Sequence, residues 1–454
     1  MYFIEGKINS MQKIFILLFI LTGNFLSAQP DFAIDSGLLY PLQEPANTKD
    51  TLDLQSLIDK ALPGDTIKLQ SAVYRGRVVI RTGSIVIDGL GHSIIDGGKK
   101  GTVIKIRANG VYIKNVIIQN SGGLHDYVDS GVSIADSAEY NIVENCRIRE
   151  CLFGIDVMQS FNNKIIHNEI SSLIKRGTAL KGDAIRFWYS KKNIVQYNYW
   201  HDVRDMVVWY SLENLFQYNK GVGNRYSIHF MYSHNNRIQN NYFTGNSVGV
   251  FLMYSEKTIM SGNVIANSKG PSGMCLGMKE TSSNQILNNT FIYSAEGIHF
   301  DVSPFVPTKK NTIQDNEIAF CNIGMKFHNR QEGNLIRYNY FHNNLLSVFS
   351  EVGSANLNEW ESNYWDDYAG FDRDDDNIGD NPYVLLSYTE HIWNFNDNAR
   401  FFFGAPILSV IDFLEKLAPF SKPKLVLIDR KPIYNWKRQY KKRVKEGNEK
   451  KVDF

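Results

Sequence analysis

Four segments share one alternation of apolar and polar positions framed by asparagines: "NKIIHNEI" from Asn163, "NIVQYNYW" from Asn193, "NRIQNNYF" from Asn236 and "NLIRYNYF" from Asn334. The second asparagine of the pattern recurs from Asn120 to Asn363 at intervals of 21–30 residues. Each unit holds a further short alternation, as in "GIDV" from Gly154, "GVFL" from Gly249 and "GIHF" from Gly297. Period-two patterning broken by Asn and Gly predicts short strands joined by tight turns. Asparagine tolerates left-handed turn conformations, and its side-chain amide can pair with the copy in the next unit. The fold class expected is all-β, a right-handed parallel β-helix of about eleven coils, on the order of 50 Å long at ~4.8 Å per coil. Leucine-rich repeats have a similar period, but their leucine signature is absent, and a propeller needs longer units.

Stacked coils need covered ends. "TLDLQSLIDKALPGDTIKLQ" from Thr51 supplies one cap, with Leu54, Leu57, Ile58 and Ala61 on a helical face and Pro63-Gly64-Asp65 turning the chain into the first strand. An amphipathic helix is expected from Pro406, followed by a mobile basic tail from Trp436. At the other end, a lysine, an apolar run from Ile14 to Leu21 and Ser27-Ala28 have the layout of a signal peptide. The expected divisions are 1–28 signal peptide, 29–50 linker, 51–114 cap and first coils, 115–363 repeat helix, 364–390 acidic loop region and 391–454 docking or capping segment with the tail. The 454 residues carry a net charge of +2, which indicates no nucleic-acid partner, and four cysteines are too few for a disulfide framework.

Alternation along the strands assigns faces. One outward column reads Asp156, Arg186, Val207, His229, Phe251, Cys275, His299 and Lys326; the next reads Met158, Trp188, Trp209, Met231, Met253, Gly277, Asp301 and His328. The inward columns include Ile228, Val250, Met274 and Ile298, then Phe230, Leu252, Leu276 and Phe300. An outward run of Met158, Trp188, Trp209, Met231 and Met253 calls for burial by something outside this chain's core. Thioether, thiolate and imidazole suit Cu(I), which makes His229, Met231, Met253, Cys275 and His299 candidate copper ligands. The stripe equally suits a protein partner, with Met158, Trp188 and Trp209 as contacts, and spacing alone leaves both readings open.

The motifs "RYSIHFMYS" from Arg225, "GNSVGVFLMYS" from Gly245, "GPSGMCLGMKE" from Gly270 and "NYWDDYAGFDRDDDNIGDNPY" from Asn363 resemble the NosD family, over roughly Leu52 to Tyr383. That resemblance implies a non-enzymatic, periplasmic, copper-processing subunit of nitrous oxide reductase maturation. It would work with an ABC-type ATPase and membrane permease, receive copper from a lipoprotein chaperone and help load nitrous oxide reductase. His229, Met231 and Met253 match the family pattern by position; Met274-Cys275 departs from it. The segment 401–417 suits docking to the permease or simple end-capping.

Two further features carry chemistry. "DRDDDNIGD" places Asp372, Asp374, Asp376 and Asp380 at spacings that suit Ca²⁺, although Asn377 stands where an EF-hand loop has glycine and no bidentate glutamate follows. A solvated acidic loop is the alternative. Long β-helices also bind and degrade polysaccharides, and "HDYVDSG" offers Asp126 and Asp129; but glycoside hydrolysis needs paired carboxylates, where the outward columns carry Met, Trp and His. No phosphate-binding loop occurs, so ATP hydrolysis would belong to another subunit.

Overall fold

The computed structural model describes residues 37–45, 51–173, 175–387 and 423–438, together with 410 and 414. Three parallel sheets of 14, 13 and 12 strands run the length of the coiled region, and each strand pairs with the equivalent strand one coil away. The first sheet ends at Tyr364–Trp365, the second at Glu359–Glu361, and the third runs from Val78–Ile80 to Leu346–Ser350. The expected eleven coils are therefore too few. The strands Thr51–Asp53 to Ile94–Asp96 form coils that lack the asparagine pattern, so counting asparagines misses them.

Asparagine ladders hold the coils in register. The backbone N–H of Asn219 donates to Asn241 Oδ1 at 2.9 Å, Asn241 to Asn263 at 2.9 Å and Asn263 to Asn289 at 3.0 Å. In this ladder the Nδ2 of Asn219 and Asn241 also donates to the next Oδ1 or to a strand carbonyl, so those buried amides are satisfied. The left-handed turn residue is not the ladder asparagine but the residue before it: Tyr197, Tyr218 and Asn240 have φ of 56°, 55° and 54°. Asn145 is such a turn residue, with φ 50°, and Cys146 takes the ladder place, its N–H bonded to Asn168 Oδ1 at 2.9 Å.

A second ladder explains the recurring Met-Tyr-Ser. Ser211 N–H donates to Ser233 Oγ at 2.9 Å and Ser233 N–H to Ser255 Oγ at 3.1 Å. Tyr210, Tyr232 and Tyr254 hold the left-handed corner before them, with rings stacked at 5.2 and 4.7 Å. The serine and tyrosine are structural, and only the methionine is left to the outer face.

The helix Leu54–Lys60, capped by Asp53, buries Leu54 and Ile58, while Leu57 is 42% exposed. A strand, Thr51–Asp53, precedes it, so Pro63-Gly64-Asp65 leads into the second strand and not the first. At the far end, Tyr383–Ser387 and Lys424–Asp429 pair antiparallel. Part of the expected basic tail is ordered: Trp436 stacks on Tyr340 at 4.6 Å and Arg438 pairs with Asp375. The expected signal peptide and the bulk of the expected C-terminal helix lie outside the described residues, and no described helix is long and apolar enough to cross a membrane.

Candidate functional site

The outer face of the third sheet carries the candidate residues on the strands Asp205–Trp209, Tyr226–Met231, Val248–Met253, Met274–Lys279 and Glu296–Asp301. These strands do not alternate strictly. In Tyr226–Met231, Ser227, Ile228 and Phe230 are buried and Tyr226, His229 and Met231 are half-buried, so two consecutive residues turn inward after the first. Met274–Lys279 follows the same rule, pairing Val248 with Met274, Val250 with Leu276, Phe251 with Gly277 and Met253 with Lys279.

That register corrects four assignments. Cys275 occupies the small inward place held by Gly249 one coil earlier; it is fully buried, and its Sγ contacts Ser294 Oγ at 3.0 Å. Burial pushes its thiol pKa well up, so it offers no thiolate to the outer face. Gly277 belongs to the His229 column, and Lys279 takes its expected place beside Met253. Leu276 and Met278 are the core pair, while Met274 is half-buried and its Sδ lies 2.9 Å from where a Cβ at Gly277 would stand. The Phe251 ring fills the rest of that hollow.

His229 has an unusual setting. Tyr226 stacks on it at 5.0 Å, and Trp209 and Phe251 meet its edges at 6.2 and 6.0 Å. Both ring nitrogens are buried without a hydrogen-bond partner, as is Trp209 Nε1. Burial lowers its pKa and keeps the ring neutral, with a lone pair and an N–H both unused. Such atoms cost about 1–3 kcal/mol each when left unmade. Met231 and Met253 stand opposite each other in adjoining strands, on the same face as His229. A neutral imidazole and two thioethers at a desolvated surface form a soft donor set suited to Cu(I).

His299 is not part of this group. Along the column the order is His229, Phe251, Gly277, His299, which separates the two histidines by three strand spacings, roughly 14 Å. His299 instead donates to Glu296 at 2.7 Å. Val207, in the same column, is fully buried between Arg186 and His229.

Of the expected partner contacts, Met158 is 39% exposed, while Trp188 and Trp209 are half-buried, edge to face at 5.9 Å. The Arg186 guanidinium lies over Trp188 at 5.1 Å. In the acidic loop, ligand oxygens of Asp372, Asp374 and Asp376 fall within 4.8 Å of one another. Asp380 is turned elsewhere and accepts from the Arg373 N–H at 2.9 Å. Sequence reasoning missed Tyr226, which offers no signal until the double inward step is known, and Met274, hidden by the register.

The coiled architecture and its ladders place the chain among right-handed parallel β-helices, and residues 101–225 match the family described as "Right handed beta helix region". Residues 171–370, which hold the His229 site, match the family described as "Periplasmic copper-binding protein (NosD)". Among curated relatives are proteins named "Probable ABC transporter binding protein NosD". The one from Stutzerimonas stutzeri is 27% identical over 116 residues, 25% of this chain and 26% of its own length. The one from Pseudomonas aeruginosa is 27% identical over 113 residues, 24% of this chain and 26% of its own length. The chain thus matches about a quarter of these relatives. Among solved structures, a mannuronic acid specific polysaccharide family 6 lyase from human gut microbiota aligns with a TM-score of 0.50 at 12% identity, covering 71% of this chain and 88% of its own. At that identity the likeness is one of fold.

Proposed function

We propose that this chain is a periplasmic copper-binding accessory protein of nitrous oxide reductase maturation, acting without turnover of its own. His229, Met231 and Met253 hold Cu(I), and the Met158, Trp188 and Trp209 stripe docks a protein partner. The partners in this reading are an ABC-type ATPase and permease, a copper-chaperone lipoprotein and nitrous oxide reductase. Residues 1–28 direct export, and Asp372, Asp374 and Asp376 take a Ca²⁺ that steadies their loop.

The observation that carries the reading is His229: a desolvated imidazole with no partner on either nitrogen, beside two facing thioethers, within the stretch that matches the copper-binding family. Histidines without a ligand role do not ordinarily leave both ring nitrogens buried and unused.

The test is an anaerobic Cu(I) titration of the purified chain against a competing chelator. Tight stoichiometric binding that falls at least ~10-fold, about 1.4 kcal/mol, in Met231→Ala with Met253→Ala supports the site. Unchanged affinity in that double variant sinks it. Cleavage of an acidic polysaccharide by the purified chain would favour the carbohydrate reading.

A further inference from the structure

We propose that His299 and His328 form a second metal station on the same face, separate from the thioether site and suited to a divalent cation of borderline softness, Cu(II) above all. The two rings lie on adjoining coils, with centroids 6.0 Å apart and planes 28° from parallel. His299 Nδ1 bonds Glu296 Oε2 at 2.7 Å, and His328 Nδ1 bonds Glu351. A carboxylate only accepts, so Nδ1 carries a proton in both rings, and in the neutral ring the lone pair is on Nε2. Fixing the tautomer through a carboxylate is how proteins orient an imidazole toward a metal and raise its basicity.

The carboxylates are themselves pinned. Lys326 Nζ lies 2.9 Å from Glu296 Oε1 and 3.1 Å from Glu351 Oε1, one ammonium joining the second oxygens of both. Asp301 follows two places after His299 in the same strand, one coil below His328, and is tied to Lys279 at 2.9 Å and Asn329 at 2.8 Å. Glu296, Glu351 and Asp301 set three negative charges against the two of Lys326 and Lys279, a balance that favours a cation.

Among the described residues, two other histidines beside carboxylates lack this arrangement. His201 uses Nδ1 on Asp202 at 2.8 Å and faces Glu169 with Nε2 at 3.8 Å; His342 uses Nε2 on Glu317 at 3.0 Å and Nδ1 on Asn343 at 2.9 Å. Neither leaves an oriented lone pair. The His328 side chain is 50% exposed and that of His299 17%, so the pair opens to solvent. Two imidazoles suit Cu(II), which the divalent series binds most tightly, and lack the sulfur that favours Cu(I).

The test uses tag-free full-length protein, Cu(II) titrated against a competing amino-acid chelator, and electron paramagnetic resonance of the one-equivalent complex. The expected signal is tetragonal with nitrogen coupling. Affinity should fall at least ~10-fold in His299→Ala and in His328→Ala, and 10–100-fold in Glu296→Gln with Glu351→Gln, each with native circular dichroism. Met231→Ala with Met253→Ala should leave spectrum and affinity unchanged, so failure of the Cu(I) site and failure of this one are read separately. A spectrum and affinity that survive His299→Ala with His328→Ala would overturn the proposal, as would a signal without nitrogen coupling.

Discussion

Asp429 Oδ2 accepts both the backbone N–H of Asn363, at 2.9 Å, and its side-chain Nδ2, at 3.0 Å. A carboxylate from the antiparallel strand Lys424–Asp429 thereby occupies the place that the next asparagine of the ladder would fill. Asp429 Oδ1 also takes the N–H of Ser362 at 3.1 Å, and Oδ2 faces Trp365 Nε1 at 3.3 Å. One buried acidic residue closes the stack by supplying acceptors to donors that have no further coil above them.

Asp429→Ala should therefore destabilise the C-terminal end by about 2–4 kcal/mol, because several buried donors lose their acceptor together. Coils contact only their neighbours, so the effect should be graded along the rod. Hydrogen exchange should speed first in Asn339 to Trp365 and leave the coil around Ile113 unchanged. Asp429→Asn, which retains one acceptor oxygen, should lose less. Uniform loss of protection along the chain would contradict the capping role.

His229→Phe gives a second outcome. Burial lowers the folded-state pKa of His229 below its ordinary 6.5, so the unfolded chain takes up a proton that the folded chain refuses. Its contribution is then fully present above about pH 6.5 and is lost as pH falls below that value. Phenylalanine fills the same aromatic box without unpaired nitrogens, so stability of the metal-free variant should match or exceed the parent, most clearly near pH 5–6. Cu(I) affinity should fall at the same time. Denaturant unfolding at pH 5, 6 and 7 beside a Cu(I) titration reads both, and a large stability loss with copper binding intact would make His229 a packing residue.

Cys275 provides a third. Its thiol is fully buried and its pKa is raised, so a maleimide should label it in denaturant and not in the native protein. Cys275→Ala should leave Cu(I) stoichiometry unchanged, since the thiol faces inward. Loss of one copper equivalent in that variant would restore it as a ligand.

The period of the asparagines, the face carrying Met231 and Met253 and the helix Leu54–Lys60 were all legible, because each follows from a repeat or a helical stripe that local sequence displays. Placing Cys275 outside was an error of register. The 26 residues from Asn263 to Asn289, against 22 from Asn241 to Asn263, include an expanded loop before Met274. Cys275 stands where the repeat opens on a glycine, and aligning on Gly273 instead shifts the columns by two. The grouping of His299 with His229 failed for another reason: sharing a column says nothing about how many coils intervene. The unpaired nitrogens of His229 could not be read at all, since hydrogen-bond satisfaction is a property of packed neighbours far apart in sequence.

The stacking of coils has a consequence for how such a face can change. Corner loops such as the one before Met274 lengthen without disturbing the strands, and the ladders return the chain to the same azimuth after each circuit. The distance between Met253 and His299 is thus counted in whole coils. Inserting or deleting one complete coil between them would move one site along the rod by a single fixed step while leaving both internally intact. The rod acts as a ruler whose markings are set by hydrogen-bonded registry, and the separation of its sites is quantised.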